Sequence, residues 1–226
     1  MKRNKRLKIK ETIVTHISNN KKEYFIISLI FIIGVLLGVF FINNINDTQI
    51  ETIKNYISDF VNAIKNNQTI NNAELLKQTI INNIIVASII WFFGTTVIGL
   101  PIVFGLILYR GFILGYTISA CISIMGVQGG LIFTLSALFL QNIIFIPAII
   151  AIAVSGFKLY KSIVKDRRKD NIKLEILRHT VFSILMLIAL CISAIIESFI
   201  STNILVNIIK YISINWWYLI IKSAKN

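Results

Sequence analysis

Long apolar blocks alternate with polar segments along this chain. The apolar blocks cover residues 24–42, 80–127, 131–157 and 180–200. A bilayer core about 30 Å thick needs roughly 20 apolar residues for each helical span. Each block therefore predicts at least one membrane-spanning helix, and the longest block predicts more than one.

The longest block must contain a turn, and segment length decides where it falls. A turn at Tyr109–Gly111 would leave about 14 residues for the next helix, too few to cross at 1.5 Å per residue. A turn at Gly99–Pro101 leaves about 18 and 24 residues, and this Gly-x-Pro sequence favours a reversal. We therefore predict span two at 81–98 and span three at 102–125. A short outer loop, GVQGG, and span four at 131–157 follow.

The predicted fold is an all-α, polytopic integral membrane helical bundle of about five transmembrane helices. In chain order it comprises a basic cytoplasmic N-terminus at 1–23, span one at 24–42, an outer loop at 43–79, spans two to four at 80–157, a basic cytoplasmic loop at 158–179, span five at 180–200 and an interfacial C-terminal tail at 201–226.

The outer loop contains one amphipathic pattern. Its apolar residues recur at spacings of three and four, which is typical of one face of a helix. This face could lie on the outer leaflet, cover the bundle or dock a partner. The candidate partner contacts on it are Ile53, Ile57, Phe60 and Ile64.

The tail also carries candidate outer contacts. Trp216 and Trp217 are adjacent, and such aromatic side chains favour the headgroup level of a bilayer. Lys210 interrupts the apolar pattern before them. An interfacial helix therefore fits the tail better than a sixth span.

Composition and charge agree with a membrane protein. The 226 residues are 56% hydrophobic and 15% charged, and the mean hydropathy is +0.77. The net charge is +13, and eight of the 23 Lys and Arg residues lie in positions 1–22, with eight more in 158–178. Both clusters flank apolar blocks, which is the positive-inside pattern, and no nucleic-acid-reading motif accompanies them. The pattern predicts a multi-pass protein of the cell membrane with a cytoplasmic N-terminus, and it argues against nucleic-acid binding.

The sequence offers no recognisable catalytic machinery. It lacks the G-x-S-x-G, H-E-x-x-H and P-loop motifs. His16 and His179 have no ligand pattern around them, and Cys121 and Cys191 are isolated within apolar blocks. We therefore expect a non-enzyme with no catalytic residues, no cofactor and no metal.

Two charged residues lie inside apolar blocks and are functional-site candidates by default. Arg110 falls about 12–15 Å into span three, whereas Glu197 falls near 25 Å along span five, at 1.5 Å per residue. The gap of about 10–13 Å disfavours an ion pair unless helix tilt closes it. We expect Arg110 to snorkel to the cytoplasmic face or to bind free backbone carbonyls.

Polar and small residues in the spans suggest helix packing. Gln141 and Asn142 in span four would join helices or line a polar cavity, and joining is the commoner outcome. Small residues at four-residue spacing let helix backbones approach closely in lipid. Those candidates are Gly34 and Gly38 in span one and Gly111, Gly115 and Ser119 in span three.

Two stretches resemble the stage II sporulation protein M family. They are residues 82–119, which open on an Asn pair and contain Tyr-Arg-Gly-Phe-x-x-Gly, and residues 138–156, which contain Gln-Asn and Ile-Pro-Ala. The order of spans agrees over nearly the whole chain. Broader relatives carry Pro-His-Gly and Glu where this chain has Gln141-Asn142 and Ile146, which favours the sporulation branch.

The resemblance implies a membrane protein of an endospore-forming bacterium that is needed for forespore engulfment. Family members anchor a peptidoglycan-degrading complex with stage II sporulation proteins P and D, which supply the hydrolytic activities. The expected location is then the mother-cell membrane around the forespore. The expected partners are the lipid bilayer, those two proteins and a second copy of the chain.

Two functional hypotheses follow. The first is a non-enzymatic membrane scaffold that contacts its partners through the outer helix or the tail. The alternative is a small-solute permease or channel subunit whose path is lined by polar residues of spans three to five. Those residues would be Arg110, Gln141, Asn142 and Glu197.

Overall fold

The structure, a computed structural model, describes residues 14–66, 70–165 and 169–210. Residues 14–19 are helical, and this short segment precedes α1. The helices that follow are α1 (Lys21–Asn43), α2 (Asp47–Lys65), α3 (Asn72–Gly94), α4 (Leu100–Thr134), α5 (Leu140–Lys165), α6 (Lys169–Ile195) and α7 (residues 202–210), with the π-helical turns π1 (Leu135–Phe139) and π2 (Ile196–Ser201). The described residues contain no strand, so the all-α prediction is confirmed for them.

Four helices in the described part of the chain are long and apolar enough to cross a membrane. They are Lys21–Asn43, Asn72–Gly94, Leu100–Val164 and Ile172–Lys210. A multi-pass membrane bundle is therefore supported, while the count of five spans stays a prediction. The third of these helices is 65 residues long, and it is not one straight rod.

The long third helix reverses at Gly126. This glycine has φ 76° and ψ 166°, a conformation that side chains disfavour. A Cβ on Gly130 would meet the backbone of Ile122, although residues eight apart in a straight helix lie about 12 Å apart. Arg110 of α4 also lies over the ring of Phe145 of α5. Residues 100–125 of α4 therefore form one arm of an antiparallel hairpin, and the last part of α4 with α5 forms the other arm. The predicted outer loop at 126–130 lies at the tip.

A tight turn of residues 95–99 joins α3 to α4. The Gly99 N–H donates to Thr96 Oγ1 at 3.0 Å, and a Cβ on Gly99 would overlap the carbonyl oxygen of Phe93. Pro101 lies in the first turn of α4, where its missing N–H leaves no hydrogen bond unmade. α3 thus ends at Gly94, earlier than the predicted end of span two at residue 98.

α1 and α4 cross in direct backbone contact at the predicted small residues. A Cβ on Gly34 would overlap the carbonyl of Leu108, and one on Gly115 would overlap the carbonyl of Val35. Gly38 and Gly111 make equivalent contacts with Phe112 and Phe31, and Ser119 is buried farther along α4. Positions rise together along both helices, so α1 and α4 run in parallel.

Contacts between elements define the two ends of the bundle. At one end, Lys161 Nζ donates to Glu23 Oε1 at 2.6 Å and joins the end of α5 to the start of α1. We call this the basic end, because the described parts of both basic segments lie there. At the other end, which we call the α2 end, Ile64 of α2 packs against Leu205 and Ile209 of α7.

Candidate functional site

A polar cavity of about 260 Å³ lies within the bundle, between the basic end and the α2 end. We call it the arginine cavity. Its walls come from α3, α4, α5, α6 and π2, and its polar lining includes Asn83, Arg110, Gln141, Asn142, Ser193 and Glu197. The four polar candidates from spans three to five therefore meet in one place.

Arg110 and Glu197 both line this cavity but form no ion pair. The ion pairs within the described residues are Lys161–Glu23 and Arg178–Glu175. The Arg110 guanidinium lies 5.1 Å from the centroid of the Phe145 ring, a cation–π contact. Snorkelling of Arg110 to the cytoplasmic face is therefore not observed, because its head group faces the bundle interior instead.

Amide and hydroxyl side chains around the cavity join the helices. Asn83 Nδ2 of α3 donates to the Leu190 carbonyl of α6 at 3.0 Å, and Ser193 Oγ donates to the Gln141 carbonyl of α5 at 3.0 Å. Asn142 Nδ2 donates to a carbonyl one turn earlier in its own helix. Gln141 Oε1 is buried and has no hydrogen-bond partner among the described residues. Polar side chains of the cavity thus link neighbouring helices, and one buried acceptor, Gln141 Oε1, is left without a hydrogen bond.

Both π-helical turns flank the arginine cavity. π1 ends two residues before Gln141, and π2 contains Glu197 itself. The backbone N–H of Thr202 donates to the Glu197 carbonyl, five residues back, as a π turn requires, and Thr202 Oγ1 donates to the same carbonyl at 2.9 Å. Single π turns are frequent at functional sites. The hydrophobic pattern gave no signal for them, because a π turn does not interrupt an apolar helix.

A second and larger cavity, of about 750 Å³, lies at the basic end. We call it the histidine cavity. Its lining includes His16, Asn20, Ser155, Lys158, His179 and Phe182. The sequence pattern assigned no role to either histidine, since their proximity comes only from the packing of α5, α6 and the segment before α1.

His179 is held in a defined tautomer. Its side chain is 1% exposed, its Nε2 lies 3.4 Å from the Trp91 carbonyl, and its Nδ1 lies 2.9 Å from Ser155 Oγ. A carbonyl can only accept, so Nε2 donates to it and the Ser155 hydroxyl donates to Nδ1 of the neutral ring. Gly94 packs closely beside this ring, and Gly156 packs against Gly94.

His16 forms part of the cavity wall from the segment before α1. Its ring stacks on Phe182 with centroids 4.1 Å apart, and its Nδ1 lies 3.2 Å from the Tyr24 hydroxyl. Burial is the largest cause that lowers the pKa of His16 to about 4, followed by the positive charge of Lys158, with His179 contributing last. His16 is therefore neutral near pH 7.

An apolar layer separates the two cavities. α5 and α6 line both cavities, and on each of them a fully buried aliphatic side chain lies between the polar residues of one cavity and those of the other. These side chains are Ile149 on α5 and Leu190 on α6, and Ile90 on α3 and Ile107 on α4 belong to the same buried core. The polar lining of the arginine cavity therefore does not continue to the basic end along these helices.

The predicted outer contacts differ in accessibility. Ile64 is 2% exposed and packs against α7, so it is a contact within the bundle. Ile53 and Ile57 are half-buried, and Phe60 is 36% exposed. Trp216 and Trp217 lie outside the described residues.

No group of three or more His, Cys, Asp and Glu residues that could hold a metal ion occurs within residues 14–66, 70–165 and 169–210. The family model of stage II sporulation protein M matches residues 27–202. The chain belongs to this family. The family match contains the whole lining of the arginine cavity, whereas His16 of the histidine cavity precedes it.

Family membership makes the chain a sporulation-related membrane protein. Comparisons with curated proteins and with solved structures gave no match.

Proposed function

We propose that this protein is a non-enzymatic membrane anchor that holds a peptidoglycan-degrading complex in place during forespore engulfment. The observation that carries the proposal is the family match over residues 27–202. Stage II sporulation proteins P and D would supply the hydrolytic activities. The membrane is the mother-cell membrane around the forespore, with the basic end in the cytoplasm, as the positive-inside rule requires.

The geometry of α2 supports an anchoring role at the outer surface. A short link, residues 44–46, joins α2 to the end of α1, and Ile64 fixes its last turn to α7. Between these attachments Phe60 stays exposed, and the neighbouring Ile53 and Ile57 are half-buried on the same face. Because α2 is held at both ends, a partner that binds this face does not have to order the helix first. The lower entropic cost favours binding.

A small-solute permease is the second candidate, and the arginine cavity is the observation that favours it. Intramembrane ionisable residues mark transport paths in many proteins. The apolar layer between the two cavities argues against a continuous polar path in this conformation. We therefore place the anchor first.

Affinity capture from sporulating cells tests the anchor, with three variants compared at matched abundance. We expect Phe60→Asp to lose captured cell-wall hydrolases, because a carboxylate on the contact face is costly to desolvate. Asn55→Asp, an exposed residue on the opposite face of α2, is the matched control and keeps them. Arg110→Ala also keeps them.

The same variants separate the two candidates. Loss of engulfment in Arg110→Ala, with normal abundance and intact capture, would favour the permease. Equal capture by Phe60→Asp and the wild-type chain would remove α2 as the docking surface.

A further inference from the structure

We propose that the histidine cavity binds the phosphate headgroup of an anionic phospholipid, with Lys158 as the principal contact. This proposal is independent of the anchoring role, because it concerns the basic end and not α2. The site would tie the segment before α1 to a charged leaflet of the bilayer.

The cavity has the polarity gradient of a membrane surface. Along α6, Arg178 and His179 lie toward the chain's basic loop, whereas Val181 and Leu185 lie toward the apolar core. Val181 is 59% exposed, so this wall is open at the side where lipid tails would lie. A ligand that fits such walls has a polar head and an apolar tail.

The size of the cavity also fits a lipid better than a simple ion. Small-molecule sites typically measure about 300–1,000 Å³, and this cavity of about 750 Å³ falls within that range. An inorganic anion alone would leave the apolar wall of Val181 and Leu185 uncovered. A glycerophospholipid would place its phosphate at the polar end and its first acyl carbons against that wall.

Lys158 is the charge that selects an anion. The neighbouring cations are already neutralised, because Arg178 pairs with Glu175 and Lys161 pairs with Glu23. Lys158 is half-buried at the cavity wall and makes no ion pair or hydrogen bond with any described residue. Basic pockets between transmembrane helices on the cytoplasmic side commonly bind anionic headgroups.

The pKa of His16 can report whether an anion is bound in the histidine cavity. The groups that face it are Lys158, His179, Tyr24, Glu175 and Arg178. Burial is the largest cause of the low pKa of His16, and the charge of Lys158 is the second. A phosphate bound at Lys158 would offset that charge but not the burial, so the pKa of His16 should rise part of the way to its ordinary value.

The test is an NMR titration of the histidine rings of the full chain in nanodiscs. The chain has only two histidines, and His16→Gln assigns the signals. One set of nanodiscs contains phosphatidylcholine alone and the other adds phosphatidylglycerol. We expect the pKa of His16 to rise above about 4 when phosphatidylglycerol is present, and burial to keep it below 6.5.

Two variants separate a site from general surface charge, which raises the apparent pKa of every group near an anionic bilayer. Lys158→Gln removes the proposed contact, and Lys173→Gln removes the same charge from an exposed position outside the cavity. The lipid-dependent rise should persist in Lys173→Gln and shrink in Lys158→Gln. Native mass spectrometry should show retained phosphatidylglycerol in the wild-type chain and Lys173→Gln, and its loss in Lys158→Gln.

An equal rise in both variants would overturn the proposal. The last condition of the titration adds inorganic phosphate to the chain in phosphatidylcholine nanodiscs. If it produced the same rise without phosphatidylglycerol, the ligand would be a soluble phosphate and the lipid assignment would be wrong.

Discussion

Arg110 lies over the ring of Phe145 and lines a cavity that it shares with Glu197. The difference of about 10–13 Å in depth between Arg110 and Glu197 was calculated from the sequence with the rise of an ideal α-helix, 1.5 Å per residue. Glu197 lies in a π turn, which advances less per residue, and helix tilt changes depth as well. The sequence therefore identified the charged residues and could not place their side chains.

Replacing Arg110 tests whether its role is structural. Arg110→Ala removes a cation–π contact of about 1 kcal/mol and leaves Glu197 without its nearby cation. The melting temperature in detergent should fall by roughly 2–4 °C for each kcal/mol lost. Adding Glu197→Gln should restore part of the loss, because it removes the carboxylate that Arg110 faced. An additive loss in the double variant would show that the two residues are not coupled.

His16 predicts a pH dependence of stability. Its pKa is about 4 in the folded protein and 6.5 ordinarily, so the unfolded chain binds the proton more readily between these values. This contribution to stability is complete above pH 6.5 and is lost as the pH falls toward 4. Thermal unfolding in a detergent without anionic lipid should show this fall. His16→Gln should flatten it between pH 6.5 and 4, and an unchanged slope would contradict the assignment.

At the scale of the secondary-structure element, the close crossing of α1 and α4 depends on glycine. A methyl group on Gly34 or Gly115 would overlap a backbone carbonyl of the other helix, whereas a Cβ on Gly105 would meet nothing within 4 Å. We expect Gly34→Ala and Gly115→Ala each to destabilise the bundle by about 1–3 kcal/mol. Gly105→Ala is the matched control and should be neutral or stabilising, because alanine favours the helix. Thermal unfolding of the three variants measures the difference, and equal effects would mean that α1 and α4 do not cross there.

The hydrophobic pattern predicted the helices better than it predicted the two cavities. Apolar block length indicated the helices, and the glycine spacing identified residues that lie at the α1–α4 crossing. The two π turns left no mark on that pattern, because a π turn changes the backbone hydrogen bonds of a helix without ending the helix. The histidine cavity was also missed, since His16 and His179 are far apart in sequence and meet only through packing.

At the scale of the whole molecule, the predicted topology places the α2 end outside the cytoplasm. Single cysteines at Phe60, Gln128 and Asp170 test it after Cys121 and Cys191 are replaced by alanine. The first two should react with a membrane-impermeant maleimide in intact cells, and the third should react only after permeabilisation. Labelling of position 128 from the same side as position 170 would contradict the reversal at Gly126 as an outer turn.

The central claim is that this chain anchors hydrolytic enzymes and is not one itself. The most direct measurement is peptidoglycan digestion by two preparations: the chain purified alone, and the complex captured with it from sporulating cells. We expect the captured complex to digest peptidoglycan and the chain alone to digest none. Digestion by the purified chain, or an inactive captured complex without cell-wall hydrolases, would contradict it.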